Sequence, residues 1–312
     1  MEPPPIPKNS ASGSSTISLE PEQPDTPSTR RTTVVDTAAC NEAHTHDWRK
    51  AGEAWGHSAT DWACLYEHYA NDVIMAIFER LAISDRMTLL DIACGSGLAL
   101  RYANAIGAET AGIDAAGSLL GIARDRNPDT DLRLGSMFEL PWPDESFTTV
   151  TSINGIWGGC EGALREAHRV LQPGGKIGIS FWATGTPNDL SACFKAFARH
   201  APPTHFAEMK KLNNIATAGV AEEMLTSAGF EVLERGTRVS TIEWPDADLA
   251  WRGLSSIGRA VPALRHTDPM VVKQAVLEAI EHCCDERGVY RFSNDHHFVI
   301  GRRASTGRQH PT

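Results

Sequence analysis

Between residues 87 and 182 the sequence alternates strand-like apolar runs with helical segments, and this alternation constrains the fold more than any other feature. Five strand-like runs occur in this region: MTLLDIAC, ETAGID, LRLGSM, FTTVTSIN and GKIGISFW. Strands that alternate with helices form a parallel sheet covered by helices on both faces. The sequence therefore predicts an α/β fold built on a doubly wound, mostly parallel sheet.

Other patterns flank this region. Residues 1–40 are rich in Pro, Ser and Thr and show no apolar period, so we expect a disordered tail, with a shorter flexible tail over 304–312. Residues 41–85 are expected to form N-terminal cap helices, and 86–303 the main domain. Apolar side chains recur every four positions along one of these predicted helices: Leu65, Tyr69, Val73, Ile77 and Leu81.

Two insertions interrupt the alternation, at residues 186–218 and 246–287. Each follows a strand that ends at the carboxyl edge of the predicted sheet. Ligands of open α/β sheets bind at that edge. We therefore expect both insertions to be helical caps over a ligand.

Charge and cysteine content limit the classes of partner. The formal net charge is −10 and no basic cluster precedes the C-terminal tail, which argues against a nucleic-acid partner. The seven cysteines are scattered without a CxxC pair, and no apolar run is long enough to span a membrane. We expect a cytoplasmic protein, a monomer or homodimer without a membrane or metal partner, that acts on a small molecule.

The segment LLDIACGSGLAL, residues 89–100, contains the most informative turn. Gly95 and Gly97 would let the backbone approach a ligand, but Leu100 stands where a dinucleotide-binding turn has its third glycine. Asp91 would repel a pyrophosphate and suits a cationic ligand. Asp114 ends the next strand, at the place of a carboxylate that binds ribose hydroxyls. These features favour S-adenosylmethionine (SAM) as the cofactor.

Four motifs occur in the order and spacing typical of one family: LLDIACGSGLAL, AGID, LPWPDESFTTV and LREAHRVLQPGGKIGIS. In these motifs the chain resembles the class I SAM-dependent methyltransferases, specifically the ubiquinone/menaquinone-biosynthesis-like (methyltransferase type 11) small-molecule branch. The resemblance implies a Rossmann-like, seven-stranded sheet whose last strand runs antiparallel beside the sixth.

The resemblance also implies the cofactor-binding residues. They are Asp91, Ala93, Gly95, Gly97, Asp114, Ala115, Ser136, Met137 and Asn154. Ser136 and Met137 stand where the branch often has an Asp-Ala pair that meets the adenine, so the adenine contact departs from the family pattern. Asn154 ends the fourth strand and would face the methionine part of SAM or the methyl acceptor.

Methyl transfer from a sulfonium needs alignment and exclusion of water more than a nucleophilic side chain. A base is required only for a protonated acceptor, and His57 and His205 are the candidates, with Asn154 as a further catalytic residue. Trp157 and Trp182 lie just past the ends of two strands and are predicted to contact the substrate. His296 and His297 are adjacent on a strand, where side chains point to opposite faces, so they do not suggest a metal site.

The main hypothesis is a SAM-dependent methyltransferase that methylates an O, N or C atom of a small, aromatic or amphipathic metabolite. A SAM-binding regulatory protein without catalysis remains open, because the same turn would bind the cofactor in both cases. An oxidoreductase that uses a nicotinamide or flavin is the third hypothesis, and Leu100 and Asp91 argue against it.

Overall fold

The computed structural model describes residues 48–184, 188–204 and 213–305, which belong to one compact unit. The predicted tail over 1–40 and residues 306–312 of the second tail lie outside these ranges. Among the described residues, no helix is long and apolar enough to cross a membrane.

Seven strands form a single mixed sheet in the order β3-β2-β1-β4-β5-β7-β6. The strands are β1 Thr88–Ile92, β2 Glu109–Asp114, β3 Asp131–Leu134, β4 Phe147–Ile153, β5 Leu171–Trp182, β6 Phe230–Trp244 and β7 Tyr290–Arg303. Strands β1 to β5 pair in parallel, whereas β7 is antiparallel to both β5 and β6. The predicted seven-stranded, doubly wound sheet with an antiparallel last strand is confirmed. Its strand order reverses between β1 and β4, where ligands bind in such sheets.

Helices cover both faces of this sheet. They are α1 Trp48–Gly56, α2 Ala59–Asp61, α3 Asn71–Leu81, α4 Leu98–Ile106, α5 Gly117–Arg126, α6 Glu161–Val170, α7 Leu190–His200, α8 Val220–Ser227, α9 Ala247–Ser255, α10 Val261–His266 and α11 Pro269–Ala279. Short 3₁₀ turns occur at Asn213–Ala216, Gly258–Ala260 and Glu281–Cys283.

The sequence of the central strand β1 is almost entirely apolar because helices pack on both of its faces. Leu89 packs into a core cluster with α3 and α4, whereas Leu90 and Ile92 pack into a second cluster with α6 and α8. Successive side chains of a strand point to opposite faces, so a strand with helices on both sides must be apolar at nearly every position. Asp91 is the buried exception in this strand.

The predicted regular helix from Leu65 to Leu81 is wrong in its first part. A π-helix occupies Trp62–Tyr66 and a 3₁₀ turn Glu67–Ala70 before α3 begins. The irregular turns change the side-chain period, so Tyr66 and Glu67 are buried together with Tyr69. Short π and 3₁₀ segments of this kind are common at functional sites.

The insertion over 186–218 contributes α7, and that over 246–287 contributes α9, the 3₁₀ turn Gly258–Ala260, α10 and α11. We call these five elements the roof. Helix α7 packs on α10 and α11, while the 3₁₀ turn packs on α1. The roof and the N-terminal helices are therefore joined to each other.

Candidate cofactor and acceptor site

The turn after β1 is held in left-handed backbone conformations. The φ angle is +58° at Ala93, +57° at Gly95 and +78° at Gly97. Glycine adopts such angles without the steric cost that a Cβ brings. At Gly97 packing excludes a side chain as well, because an added Cβ would lie 2.5 Å from Nδ2 of Asn127. Asn127, which sequence analysis did not select, donates to the Gly97 carbonyl (3.1 Å) and fixes the turn.

Asp114 crosses from the end of β2 to this turn. Its Oδ2 accepts from the N–H of Gly95 (2.8 Å) and its Oδ1 from the N–H of Ala116 (2.7 Å). Burial raises the pKa of Asp114, and these backbone bonds oppose that rise. Each carboxylate oxygen keeps a further lone pair. The carboxylate therefore fits a pair of ribose hydroxyls while it holds the turn in place.

Asp91 is a second buried acid beside the turn. Thr151 Oγ1 on β4 donates to its Oδ1 (2.7 Å). Burial raises the pKa of Asp91 to about 7, the Thr151 bond opposes the rise, and the nearby Asp114 carboxylate adds to it. A positive charge bound nearby would favour the ionised form. Asp91 therefore fits a cationic ligand, as its sequence position predicts.

A buried ion pair ties the irregular N-terminal segment to the turn. Glu67 accepts from Ser96 Oγ in the turn and from Arg126 Nη1 at the end of α5 (2.5 Å). Burial raises the pKa of Glu67, against the effect of both hydrogen bonds. No local sequence pattern marks this pair, because its members are separated by 59 positions and share no motif.

The N-terminal helices also close on the turn and on the end of β2. A Cβ added to Gly52 in α1 would lie 2.0 Å from the Ala115 carbonyl oxygen, so only glycine permits this approach. Trp62 lies over the turn, with its Nε1 3.9 Å from an ideal Cβ on Gly95. The cofactor residues predicted at Gly95 and Ala115 are thus both covered by residues 48–62.

Five rings extend from the turn to the end of β5, and we call them the aromatic row: Trp62, Tyr66, Tyr69, Trp182 and His296. The successive ring centroids are 5.1, 5.1, 4.7 and 4.5 Å apart. Trp182, predicted to contact substrate, stacks on His296. The row runs along the carboxyl edge of the sheet, and Tyr66, Tyr69 and His296 within it are buried.

Asn154 lies at the centre of a polar network under this row. Its Nδ2 donates to the Tyr69 hydroxyl (2.6 Å), and its Oδ1 accepts from Nε2 of His296 (2.8 Å). The other ring nitrogen of His296 accepts from Ser240 Oγ (3.2 Å). Burial lowers the pKa of His296 to about 3, so the imidazole is neutral and serves as a donor. Burial also raises the pKa of Tyr69, which leaves a neutral phenol with its own O–H to donate.

The remaining predicted site residues are distributed around this centre. Ser136 Oγ accepts from the Phe138 N–H (3.2 Å) after β3, and Met137 packs against the core cluster of α6 and α8. Trp157 lies against Arg259 of the roof, with the guanidinium carbon 4.7 Å from the ring centroid. These positions surround the carboxyl ends of β3 and β4.

Of the two histidines predicted as candidate bases, the structure describes only His57. His57 is exposed, and its ring nitrogens lie 2.8 Å from the Ala54 carbonyl oxygen and 2.9 Å from that of Ser255. Both nitrogens face acceptors, so neither presents a lone pair to a substrate, and the geometry does not support His57 as a base. His205 lies outside the described residues.

One group of metal-ligand side chains occurs in the described part of the chain. The ligand atoms of Asp189, His282 and Cys283 lie within 4.8 Å of one another. Asp189 already accepts from the Ser293 N–H (2.7 Å), and burial raises the pKa of Cys283 to about 12.

Comparisons with known proteins agree with this geometry. Residues 90–179 match the family profile described as a methyltransferase domain. The malonyl-[acyl-carrier protein] O-methyltransferase of Erwinia pyrifoliae is 28% identical over 186 residues, which are 58% of this chain and 66% of that protein. The demethylmenaquinone methyltransferase of Chlorobaculum parvum is 36% identical over 90 residues, 28% of this chain and 37% of that protein.

A crystal structure described as that of a methyltransferase from Bacillus halodurans has the same fold. It superposes with a TM-score of 0.52 at 18% identity and covers 75% of this chain and 100% of that one. The sequence matches span two thirds or less of both curated relatives named above. The residues that match the family profile, 90–179, contain the glycine turn, β2 to β4 and most of β1 and β5.

Proposed function

We propose, from the premise that residues 90–179 of this chain match a methyltransferase domain, that the protein transfers a methyl group from SAM to an O, N or C atom of a small, aromatic or amphipathic metabolite. The proposal depends on one observation: Trp62, the first ring of the aromatic row, lies over the glycine turn that Asp114 holds in place. The turn fits the cofactor, and the partly exposed Trp62 and Trp182 of the row lie beside it. The domain match decides against the oxidoreductase hypothesis.

The residues around the turn are assigned to the cofactor. Asp114 would bind the ribose hydroxyls, while Ala115 and Met137 would lie against the adenine. Asp91 would balance the positive charge of the methionine part through its buried carboxylate. The cofactor, when bound, supplies the electrophilic methyl group.

Asn154 and Tyr69 are assigned to the acceptor. Asn154 fixes the Tyr69 hydroxyl, which keeps one hydrogen to donate to a polar atom of the acceptor. Trp182 and Tyr66 exclude water from the same region. Displacement at a sulfonium gains most of its rate from such alignment and dehydration, so an acceptor atom that is already deprotonated needs no general base.

Calorimetry and a transfer assay test this function. We expect the purified protein to bind SAM and not NADH, and to transfer labelled methyl from SAM to a component of a metabolite extract. Binding of NADH without SAM would refute the cofactor assignment. Binding of SAM without transfer to any component would favour the SAM-binding regulator instead, and would refute the proposed catalysis.

The affinity for SAM is expected to rise with pH because of Asp91. Below pH 7 the buried carboxyl is protonated in the free protein, since burial raises its pKa to about 7. A bound cation favours the ionised form, so binding releases a proton there and is weaker at lower pH. Titration calorimetry from pH 5.5 to 8 should show an increase of up to about 30-fold, levelling off above pH 7.

The matched control is Asp91→Asn, which keeps the shape of the side chain and removes the titration. SAM ionises identically in both experiments, so the difference between the two pH profiles belongs to Asp91. Parallel profiles for the wild type and D91N would show that the Asp91 carboxylate does not interact with the cofactor charge.

A further inference from the structure

Arg259 of the roof occupies an unusual position. Its guanidinium lies against two rings, 4.7 Å from the centroid of Trp157 and 5.1 Å from that of Phe194. Nη2 donates to Oδ1 of Asn213 (2.6 Å). The partly buried guanidinium is thus positioned by Trp157 after β4, Phe194 on α7 and Asn213 on the 3₁₀ turn before α8.

Arg259 forms no ion pair with any carboxylate of the described residues. Two similarly buried arginines differ in this respect, since Arg126 pairs with Glu67 (2.5 Å) and Arg235 with Glu222 (3.0 Å). Burial lowers the pKa of Arg259 to about 10, so the group remains charged at neutral pH. Of the guanidinium N–H groups, only Nη2 has a hydrogen-bond acceptor among the described residues, which leaves the Nε and Nη1 donors for an anion.

The charge faces the acceptor side of the site. Trp157 follows Asn154 by three positions, just past the end of β4. Phe194, the second ring against Arg259, packs against the same core cluster as Tyr66 and Tyr69 of the aromatic row. Because Tyr69 also bonds to Asn154, the cation and the proposed acceptor donor belong to one region.

We propose that the methyl acceptor carries a carboxylate that binds Arg259, with its apolar part against Trp157 and Phe194. A guanidinium binds a carboxylate through two parallel hydrogen bonds, and the rings hold the guanidinium plane in place. One arginine balances one negative charge, and Asp91 and Asp114 already make the site acidic, so a monoanion suits it better than a phosphate dianion. This inference rests on the proposed function and names its substrate class.

A chemical block of the acceptor tests the inference first. A metabolite extract is treated with carbodiimide and methylamine, which convert carboxylates to neutral amides, and labelled methyl transfer is compared with that of an untreated extract. We expect the treatment to abolish transfer. Undiminished transfer to the treated extract, at the same labelled product, would overturn the carboxylate assignment while leaving the methyltransferase function intact.

The variant Arg259→Met then tests whether Arg259 is the residue that binds the carboxylate of the acceptor. With an anion-exchange fraction of the extract as acceptor, the apparent KM in a dilution series should rise at least about 30-fold, while SAM affinity stays unchanged. Arg238→Met is the matched control, because Arg238 lies over the Phe298 ring (5.8 Å) and also has no carboxylate partner in the described residues. We expect wild-type kinetics for R238M.

The melting temperature separates a binding role from a structural one. If Arg259 only supports the roof, R259M lowers the melting temperature of the ligand-free protein and the KM effect follows from misfolding. If it is reserved for an anion, removal of the uncompensated charge leaves the melting temperature equal or higher. A lowered melting temperature, or an unchanged KM in a stable R259M, would refute the inference; absence of SAM binding in the wild type would refute the proposed function.

Discussion

Asp114→Ala is expected to raise the dissociation constant of SAM by about 100-fold or more. The variant loses the carboxylate proposed to bind the ribose and also frees the N–H groups of Gly95 and Ala116 that shape the site. Hydrogen bonds to a charged group contribute about 1.5–3 kcal/mol each, so the loss of even one accounts for at least a tenfold change and two for the full effect. Titration calorimetry with SAM measures the constant directly.

Asp131→Ala is the matched control for this prediction. Asp131 is an acid at the start of the neighbouring strand β3, bonded to Arg133 and to the Trp142 indole (2.9 Å). It lies at the opposite end of its strand from the cofactor edge, so its removal should leave SAM affinity within about twofold. Equal affinities for the wild type and D114A would mean that the carboxylate serves the turn alone and that the ribose binds elsewhere.

Gly52→Ala is expected to destabilise the protein and to weaken SAM binding together. The new methyl group would lie 2.0 Å from a backbone oxygen of Ala115, and backbone does not yield as a flexible side chain does. Overpacking of this kind costs about 1–3 kcal/mol of unfolding free energy. Because Ala115 is proposed to lie against the adenine, the displaced helix α1 should also raise the dissociation constant of SAM. Urea denaturation and calorimetry measure the two effects.

The control for this variant is the same substitution in an open helix. Gly121 lies in α5 with no atom within 4 Å of an added Cβ, so Gly121→Ala should stabilise the protein by about 0.5–1 kcal/mol through helix propensity. Opposite signs for the two glycine-to-alanine changes are the expected result. Unchanged stability and unchanged SAM affinity in G52A would show that α1 does not pack on Ala115 in solution.

The sheet and the cofactor turn could be predicted because their signals are local. The predicted run ETAGID coincides with β2, and FTTVTSIN extends one residue past β4. Gly95 and Gly97 of the turn have positive φ angles. Because glycine adopts such angles most readily, a glycine in the sequence by itself indicates where the backbone needs them. Asp114 follows Gly95 by 19 positions, a distance that the lengths of α4 and β2 determine.

The acceptor side could not be predicted in the same way. Tyr69 belonged to a four-residue apolar spacing that indicates only a buried helix face, yet its hydroxyl bonds to Asn154, 85 positions away. The π and 3₁₀ turns before α3 bury Glu67, a residue that the helical period does not select. His296, whose position on a strand marks no site in the sequence, bonds to Asn154 across 142 positions.

The sequence by itself determined the fold class, the glycine turn and the cofactor, because strand alternation, positive φ and short spacings are properties of neighbouring residues. Only the tertiary structure decided which side chains meet over the end of β4, where Asn154 joins Tyr69 to His296 and Trp157 lies against Arg259. Contacts between residues this far apart depend on how the roof and the N-terminal helices pack on the sheet. Packing of that kind follows from the shape and burial of many side chains at once, and no local pattern encodes it.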